Sequence, residues 1–287
     1  MVAIKEMTFV DSELELLGLP DVPRVVLKRA PLVLALCQVR FTSMLSVNDP
    51  ASLAAFQRAI QSRYPIAAQV QEVELTVGLG PTEHEIRREQ RQTPQWQFTD
   101  QNDNWKIMLS QDFLTLETRT YEHFDDFLTR LQEALDALVE HIQPTVVTRL
   151  GLRYINEIRS SNLKNMTWSD VIRQDLLGPI AASALAQNSI QAVSIQQVLL
   201  RYPGDLGINI HHGLLPIGTT IKLRPKEQRP IEPFYLLDFD VFREFSLPEA
   251  PTMDTKVICQ YVKVYHKMIY RLFRWSVTKR YISTQQG

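Results

Sequence analysis

Hydrophobic and polar positions alternate most regularly in VVTRLGLRYINEIR, residues 146–159, and the rest of the chain is arranged around this stretch. A period of two places Val146, Leu150, Leu152, Tyr154 and Ile158 on one side of a strand, and Val147, Arg149, Gly151, Arg153, Ile155 and Glu157 on the other. The first side suits a core; the second is mostly polar. Before this strand, PLVLALCQVRF opens at Pro31 as a strand that is apolar on both faces until Gln38 and Arg40. A helix follows, with Asn48 or Asp49 as cap, Pro50 in its first turn, and Leu53, Phe56, Ile60 and Tyr64 at helical spacing up to Pro65. AAQVQEVELTVG alternates as a second strand, whereas residues 81–94 are so charged that they predict a solvated loop or a short exposed helix. Three short strands are predicted in QWQFTD, NWKIMLS and DFLTLETRTY, then an amphipathic helix through Phe124, Phe127, Leu131, Leu135 and Leu138 that Pro144 ends.

The second half repeats this succession. After the central strand come short helical pieces broken at Gly178 and Pro179, two strands flanking the turn at Pro203 to Asp205, and the strand FYLLDFDVFREF. From about Asp254, an apolar stripe through Val257, Tyr261, Tyr265, Met268, Leu272 and Val277 predicts one helix roughly 40 Å long at about 1.5 Å per residue. The expectation is an α+β fold of two tandem β-α-β-β-β(-β)-α units, residues 31–145 and 146–287, after a lead-in segment over 1–30. The two halves would pack as one unit, an extended curved antiparallel sheet with both long helices on its convex face and a concave face left open. That order resembles the tandem saddle of TATA-box-binding proteins and, more loosely, helix-grip folds, a likeness of architecture that implies no activity by itself.

Three blocks, PLVLALCQVRF, WKIMLSQDFLTLETRTYEHFDDFLTRLQEAL and RLGLRYINEI, resemble an uncharacterised, sporadically distributed bacterial family of similar length. The resemblance covers about residues 31–160 well and the carboxy-terminal half weakly. It implies no assigned biochemical activity and no catalytic residues. A sporadic distribution is associated with mobile or defence-related genes.

Composition narrows the function classes. With 45% hydrophobic residues, the 287-residue chain has ample material for the core of one large domain or of two packed halves. Its 31 basic and 32 acidic residues nearly cancel, so no global basic field drives non-specific nucleic-acid binding. Cys37 and Cys259 sit in apolar patterns and are expected to be buried free thiols rather than a disulfide. No secretory h-region opens the sequence and no run approaches the apolar length of a membrane span, so a cytoplasmic protein with no membrane contact is expected.

The polar face of the central strand carries the first candidate chemistry. Arg149 and Arg153 project to one side about 13 Å apart, with Gly151 leaving a gap between them. Two guanidiniums flanking bare backbone could take a phosphate or carboxylate; alternatively they pair with Glu117, Asp238 or Asp240 on neighbouring strands. His211 and His212 point to opposite faces of a strand and cannot jointly hold a metal; pattern puts His212 with the apolar positions and leaves His211 for the polar face. Asp238 and Asp240 share a face about 7 Å apart, a spacing open to acid/base work, a divalent ion, or simple pairing with arginines.

No phosphate loop, dinucleotide fingerprint, HExxH or GxSxG motif is present, so neither a cofactor nor a catalytic residue is expected. The last segment interleaves Lys267, Arg271, Arg274 and Arg280 with Tyr270 and Trp275, which suits nucleic acid or a membrane surface, or else the helix dipole and the core edge. The leading expectation is a non-enzymatic binding protein whose concave face, around Arg149, Arg153, His211, Asp238 and Asp240, engages a protein partner, a second copy or an anionic small ligand. Nucleic-acid binding through the saddle and a divalent-ion-dependent hydrolase or transferase are the alternatives.

Overall fold

A computed structural model describes residues 14–79, 86–163, 165–181, 192–217 and 232–286. Its strands are β1 (Leu32–Phe41), β2 (Ile66–Leu79), β3 (Ile86–Thr99), β4 (Trp105–Leu109), β5 (Phe113–Thr118), β6 (Val147–Arg159), β7 (Gln196–Tyr202), β8 (Leu206–Leu215) and β9 (Phe234–Glu244). They form one open sheet in the order β2-β3-β4-β5-β1-β6-β9-β8-β7, and every pairing is antiparallel. The seam is β1 against β6, with Cys37 opposite Leu152 and Gln38 opposite Gly151. Outward from it, β5-β4-β3-β2 run to one edge and β9-β8-β7 to the other.

Among the described residues, the α-helices are α1 (Pro50–Ile60), α2 (Phe124–His141), α3 (Trp168–Val171), α4 (Gln174–Leu177), α5 (Thr255–Ser276) and α6 (Lys279–Gln286). Local chemistry sets their starts. Asp49 accepts the Ser52 amide at 2.9 Å ahead of Pro50, and Asp254 accepts those of Lys256 and Val257, so amides with no partner inside the helix are satisfied. The apolar stripes of α2 and α5 then lie on one face of the sheet. Leu131, Leu135, Tyr265 and Ile269 share one buried cluster with Cys37, Leu152, Tyr154 and Phe239. Leu152 is fully buried there, and truncating it to alanine would cost about 2–5 kcal/mol in lost transfer energy and cavity. Both cysteines are buried and free, and burial pushes the Cys259 thiol up to about 11.

Two elements depart from the sequence pattern. Residues 86–94, expected in a loop or exposed helix, belong to β3, which pairs with β2 without a break from Ile66↔Thr99 to Leu79↔Ile86. The cross-strand ladder overrides the weak strand propensity of the charged run; residues 80–85 lie outside the described residues. The carboxy-terminal helix also stops early. Ser276 ends α5, Val277 is extended and bridges Ile172, and α6 begins at Lys279. Amides of residues 173 and 278 bond to the carbonyls of Ser276 and Val171, replacing helical bonds, and Thr278 Oγ1 accepts the Tyr281 amide at 3.1 Å. At 22 residues, α5 is about 33 Å long rather than 40 Å. Among the described residues, no helix is long and apolar enough to cross a membrane.

Candidate binding face

The strand period that buries Leu150, Leu152 and Tyr154 under the helices turns Arg149, Gly151 and Arg153 to the opposite face. The register brings β9 and β8 beside them, with Arg153 opposite Asp240 and Asp238 opposite His211. All five residues singled out from the sequence, Arg149, Arg153, His211, Asp238 and Asp240, therefore lie on this face and touch one another in two linked groups.

In the first group Arg153 passes over its register partner and pairs diagonally with Asp238, Nε to Oδ1 at 2.8 Å and Nη2 to Oδ2 at 2.6 Å. His211 Nδ1 lies 3.5 Å from the same Oδ2. Burial raises the Asp238 carboxyl, but hydrogen bonds and charge from Arg153 and His211 more than offset it, so the group is held below the usual carboxylate range. Burial alone would lower the Arg153 pKa; its bond and charge pairing with Asp238 turn the net shift upward. The pair is a desolvated two-point salt bridge, whose value depends on both partners being present.

In the second group Arg149 stands opposite Glu244 but folds back over Gly151 to reach Asp240, Nη2 to Oδ2 at 3.1 Å. A Cβ on Gly151 would lie 2.9 Å from Arg149 Nη1 and 3.3 Å from Asp240 Oδ1. The gap that the sequence offers to an anion between the two arginines is therefore filled by Arg149 itself, because glycine leaves the room and Asp240 supplies the charge. Asp240 is raised by burial, and by Asp238, despite the opposing pull of Arg149 and Arg153. Arg149 also stacks 4.6 Å from the Phe242 ring centroid, and Arg201 approaches the same ring at 5.0 Å while pairing with Glu244 at 2.9 Å. The Phe242 ring lies flat on Gly207, where a Cβ would come within 2.4 Å of it.

Other residues on this face were not singled out from the sequence. Gln38 donates to Thr115 Oγ1 at 3.3 Å and accepts from Arg40 Nε at 3.1 Å and Arg149 Nη1 at 3.5 Å, extending the network across β5, β1 and β6. Gln197 donates to Asn209 at 3.3 Å and carries it to the β7 edge. The polar end of the otherwise apolar β1, Gln38 with Arg40, was the available signal. Glu117 pairs with Lys106 at 3.5 Å and Arg119 at 3.8 Å, and not with Arg149 or Arg153. Arg149, His211 and Arg153 retain 22%, 27% and 29% side-chain exposure, enough for an outside molecule to reach them. Beyond Ile155 the same face becomes apolar, where Leu34, Leu215, Phe234 and Leu236 form a second, smaller buried cluster.

His212 occupies the helix side, as its apolar neighbours indicate. Its Nδ1 lies 3.0 Å from the Tyr235 hydroxyl, which donates to the Leu176 carbonyl at 2.9 Å, so the imidazole is the donor of the first bond; burial lowers its pKa. Two arginines of α5 are occupied within the chain. Arg271 donates to the Leu14 carbonyl at 3.2 Å and pairs with Asp21 at 3.1 Å, while Arg274 donates to the Pro23 carbonyl at 3.0 Å and to the Tyr270 hydroxyl. They strap the amino-terminal segment to α5. In comparison with known proteins, the chain matches no family model, no curated protein and no solved structure.

Proposed function

We propose that this is a non-enzymatic binding protein of the bacterial cytoplasm that engages a protein partner through the sheet face opposite its helices. The observation that carries the reading is the division of labour in the sheet. One face is consumed by the core, while the other holds a preassembled lattice of charged side chains that is desolvated at its centre and reachable from solvent. Fixed, paired charges of this kind confer specificity and register on an interface more than raw affinity. The sheet is read as two like units joined at the β1–β6 seam into one saddle, with the polar lattice in its concavity. A place in a defence or mobile-element assembly is part of the proposal and rests on the family resemblance alone.

Pairing of Asp238 and Asp240 with arginines counts against the hydrolase reading, since a divalent ion would have to displace Arg153 and Arg149 from them. The same pairing, with the near balance of 31 basic and 32 acidic residues, weakens the reading of nucleic-acid binding through the saddle. The test is site-specific photo-cross-linking in the native host, with the probe at Gln197 on the polar face or at exposed Gln132 on α2. A defined adduct from Gln197 and none from Gln132 supports the proposal. The same adducts from both positions, or an adduct from Gln132 alone, would refute it.

A further inference from the structure

Arg40 of β1 stands directly opposite Arg149 of β6 in the seam ladder, two cations on the same face of the sheet. Like charges so placed repel unless anions answer them. Arg149 has Asp240, but among the described residues Arg40 makes no ion pair. Its Nε donates to Gln38 Oε1 at 3.1 Å and its guanidinium lies 5.8 Å from the Phe113 ring centroid. Arg149 Nη1 turns to the same Gln38 oxygen at 3.5 Å. One neutral amide oxygen thus serves two guanidiniums, and it cannot neutralise either. Arg40 and Arg149 against Asp240 leave one positive charge uncompensated at the centre of the lattice.

We propose that the Arg40–Arg149 pair is a carboxylate-binding site, filled by one carboxyl group that bridges the two guanidiniums in place of the Gln38 amide oxygen. Guanidinium forks match the planar carboxylate and bind it through paired N–H donors. One carboxylate cancels the excess charge, whereas a phosphate dianion would bring a second negative charge beside Asp240. Arg153 takes no part, since Asp238 already holds it at two points. The site deepens the binding-face reading and rests on it: the carboxylate is that of a partner's acidic side chain or of a small carboxylic acid.

The arginine Nε–Hε signals of the whole chain are followed by NMR at neutral pH during titration with sodium acetate, with sodium chloride at equal ionic strength as control. Saturable shifts of Arg40 and Arg149 with acetate, absent with chloride and absent at Arg153, are expected. Arg40→Gln should weaken the acetate response of Arg149 roughly tenfold or more while the Arg153 signal stays in place, showing that the fold is intact. A blocked Gly-Glu-Gly peptide that binds at least about tenfold tighter than acetate, with its Gln counterpart inactive, identifies a partner side chain; equal affinity of peptide and acetate identifies a small acid. Shifts that chloride reproduces, that survive Arg40→Gln, or that centre on Arg153 overturn the site. An intact acetate response with no cross-link from Gln197 would sink the partner reading alone, and a specific cross-link with no acetate response would sink this site alone.

Discussion

The guanidinium of Arg149 occupies the volume above Gly151 that any larger residue would need, with Nη1 2.9 Å from the position of a Cβ there. Arg149 is the flexible partner, so Gly151→Ala should move the guanidinium rather than the strand. Asp240 would then lose its ion pair while remaining half-buried. We expect a loss of about 1–2 kcal/mol in urea unfolding and a further rise of the Asp240 carboxyl pKa, read by carbonyl-carbon NMR. An unchanged Asp240 titration would show that the pair survives and that the argument from Gly151 is wrong.

The Arg153–Asp238 bridge predicts asymmetric mutational costs. Arg153→Met strands a carboxylate that is 2% exposed, for a loss of about 3–5 kcal/mol near neutral pH. Adding Asp238→Leu to that background should restore most of it, because both the charge and its desolvation disappear together. The sign of the pH dependence follows from the carboxyl. In the native protein its pKa is depressed, so its contribution is present above the unfolded value of about 3.9 and lost as pH falls through the folded value. Without Arg153 burial raises that pKa, so the penalty of Arg153→Met should shrink at acid pH, where Asp238 is protonated. Equal penalties at pH 5 and pH 8 would contradict this.

His266 supplies a pH dependence on the helix side. Its ring stacks on Phe124 at 3.9 Å, and its Nδ1 lies 3.0 Å from the Tyr154 hydroxyl. Burial, with Arg24, lowers its pKa from 6.5 to about 4. A histidine depressed in the folded state stabilises above its unfolded pKa, and that stability is lost as pH falls from about 6.5 towards 4. The loss should amount to roughly 3 kcal/mol. Thermal melts of wild type and His266→Gln between pH 7.5 and 4 check this, since the variant should show a flatter profile over that interval.

Among the described residues, strand β7 is one of the two edges of the sheet, with Val198, Leu199 and Leu200 at 39%, 52% and 36% exposure. Unpaired backbone beside apolar side chains is a template for pairing with another chain. Leu199→Lys should reduce concentration-dependent light scattering on warming while changing stability by no more than about 0.5 kcal/mol. Unaltered scattering would locate the association elsewhere.

Much of this architecture can be read in the sequence because it depends on period. Alternation in β6 and β9 places Arg149, Arg153, Asp238 and Asp240 on one face, and the same rule separates His211 from His212. Register is a different kind of information. Nothing in the chain tells Arg153 to choose Asp238, 85 positions away, over the residue opposite it, or sets Arg40 against Arg149, because those relations depend on how strands distant in the chain slide past each other. The early end of α5 is hidden for a related reason: the apolar stripe runs on through Val277, and only the bridge to Ile172 shows why the helix stops. Residues 86–94 read as loop because their pairing with β2 compensates for a composition that would not form a strand alone.

The β1–β6 seam has a consequence for synthesis. Cys37 of β1 must find Leu116 on one side and Leu152 on the other, so both neighbours of an almost wholly apolar strand leave the ribosome long after it does. At ordinary translation speeds the wait between Phe41 and Val147 is on the order of 5–20 s. During that interval β1 has neither a complete sheet nor the cover of α5, and a fragment ending near residue 145 would keep its inner edge bare. Such a fragment should pair with itself or be held by chaperones, and the nascent chain is most exposed to aggregation until its second half arrives to close the ladder.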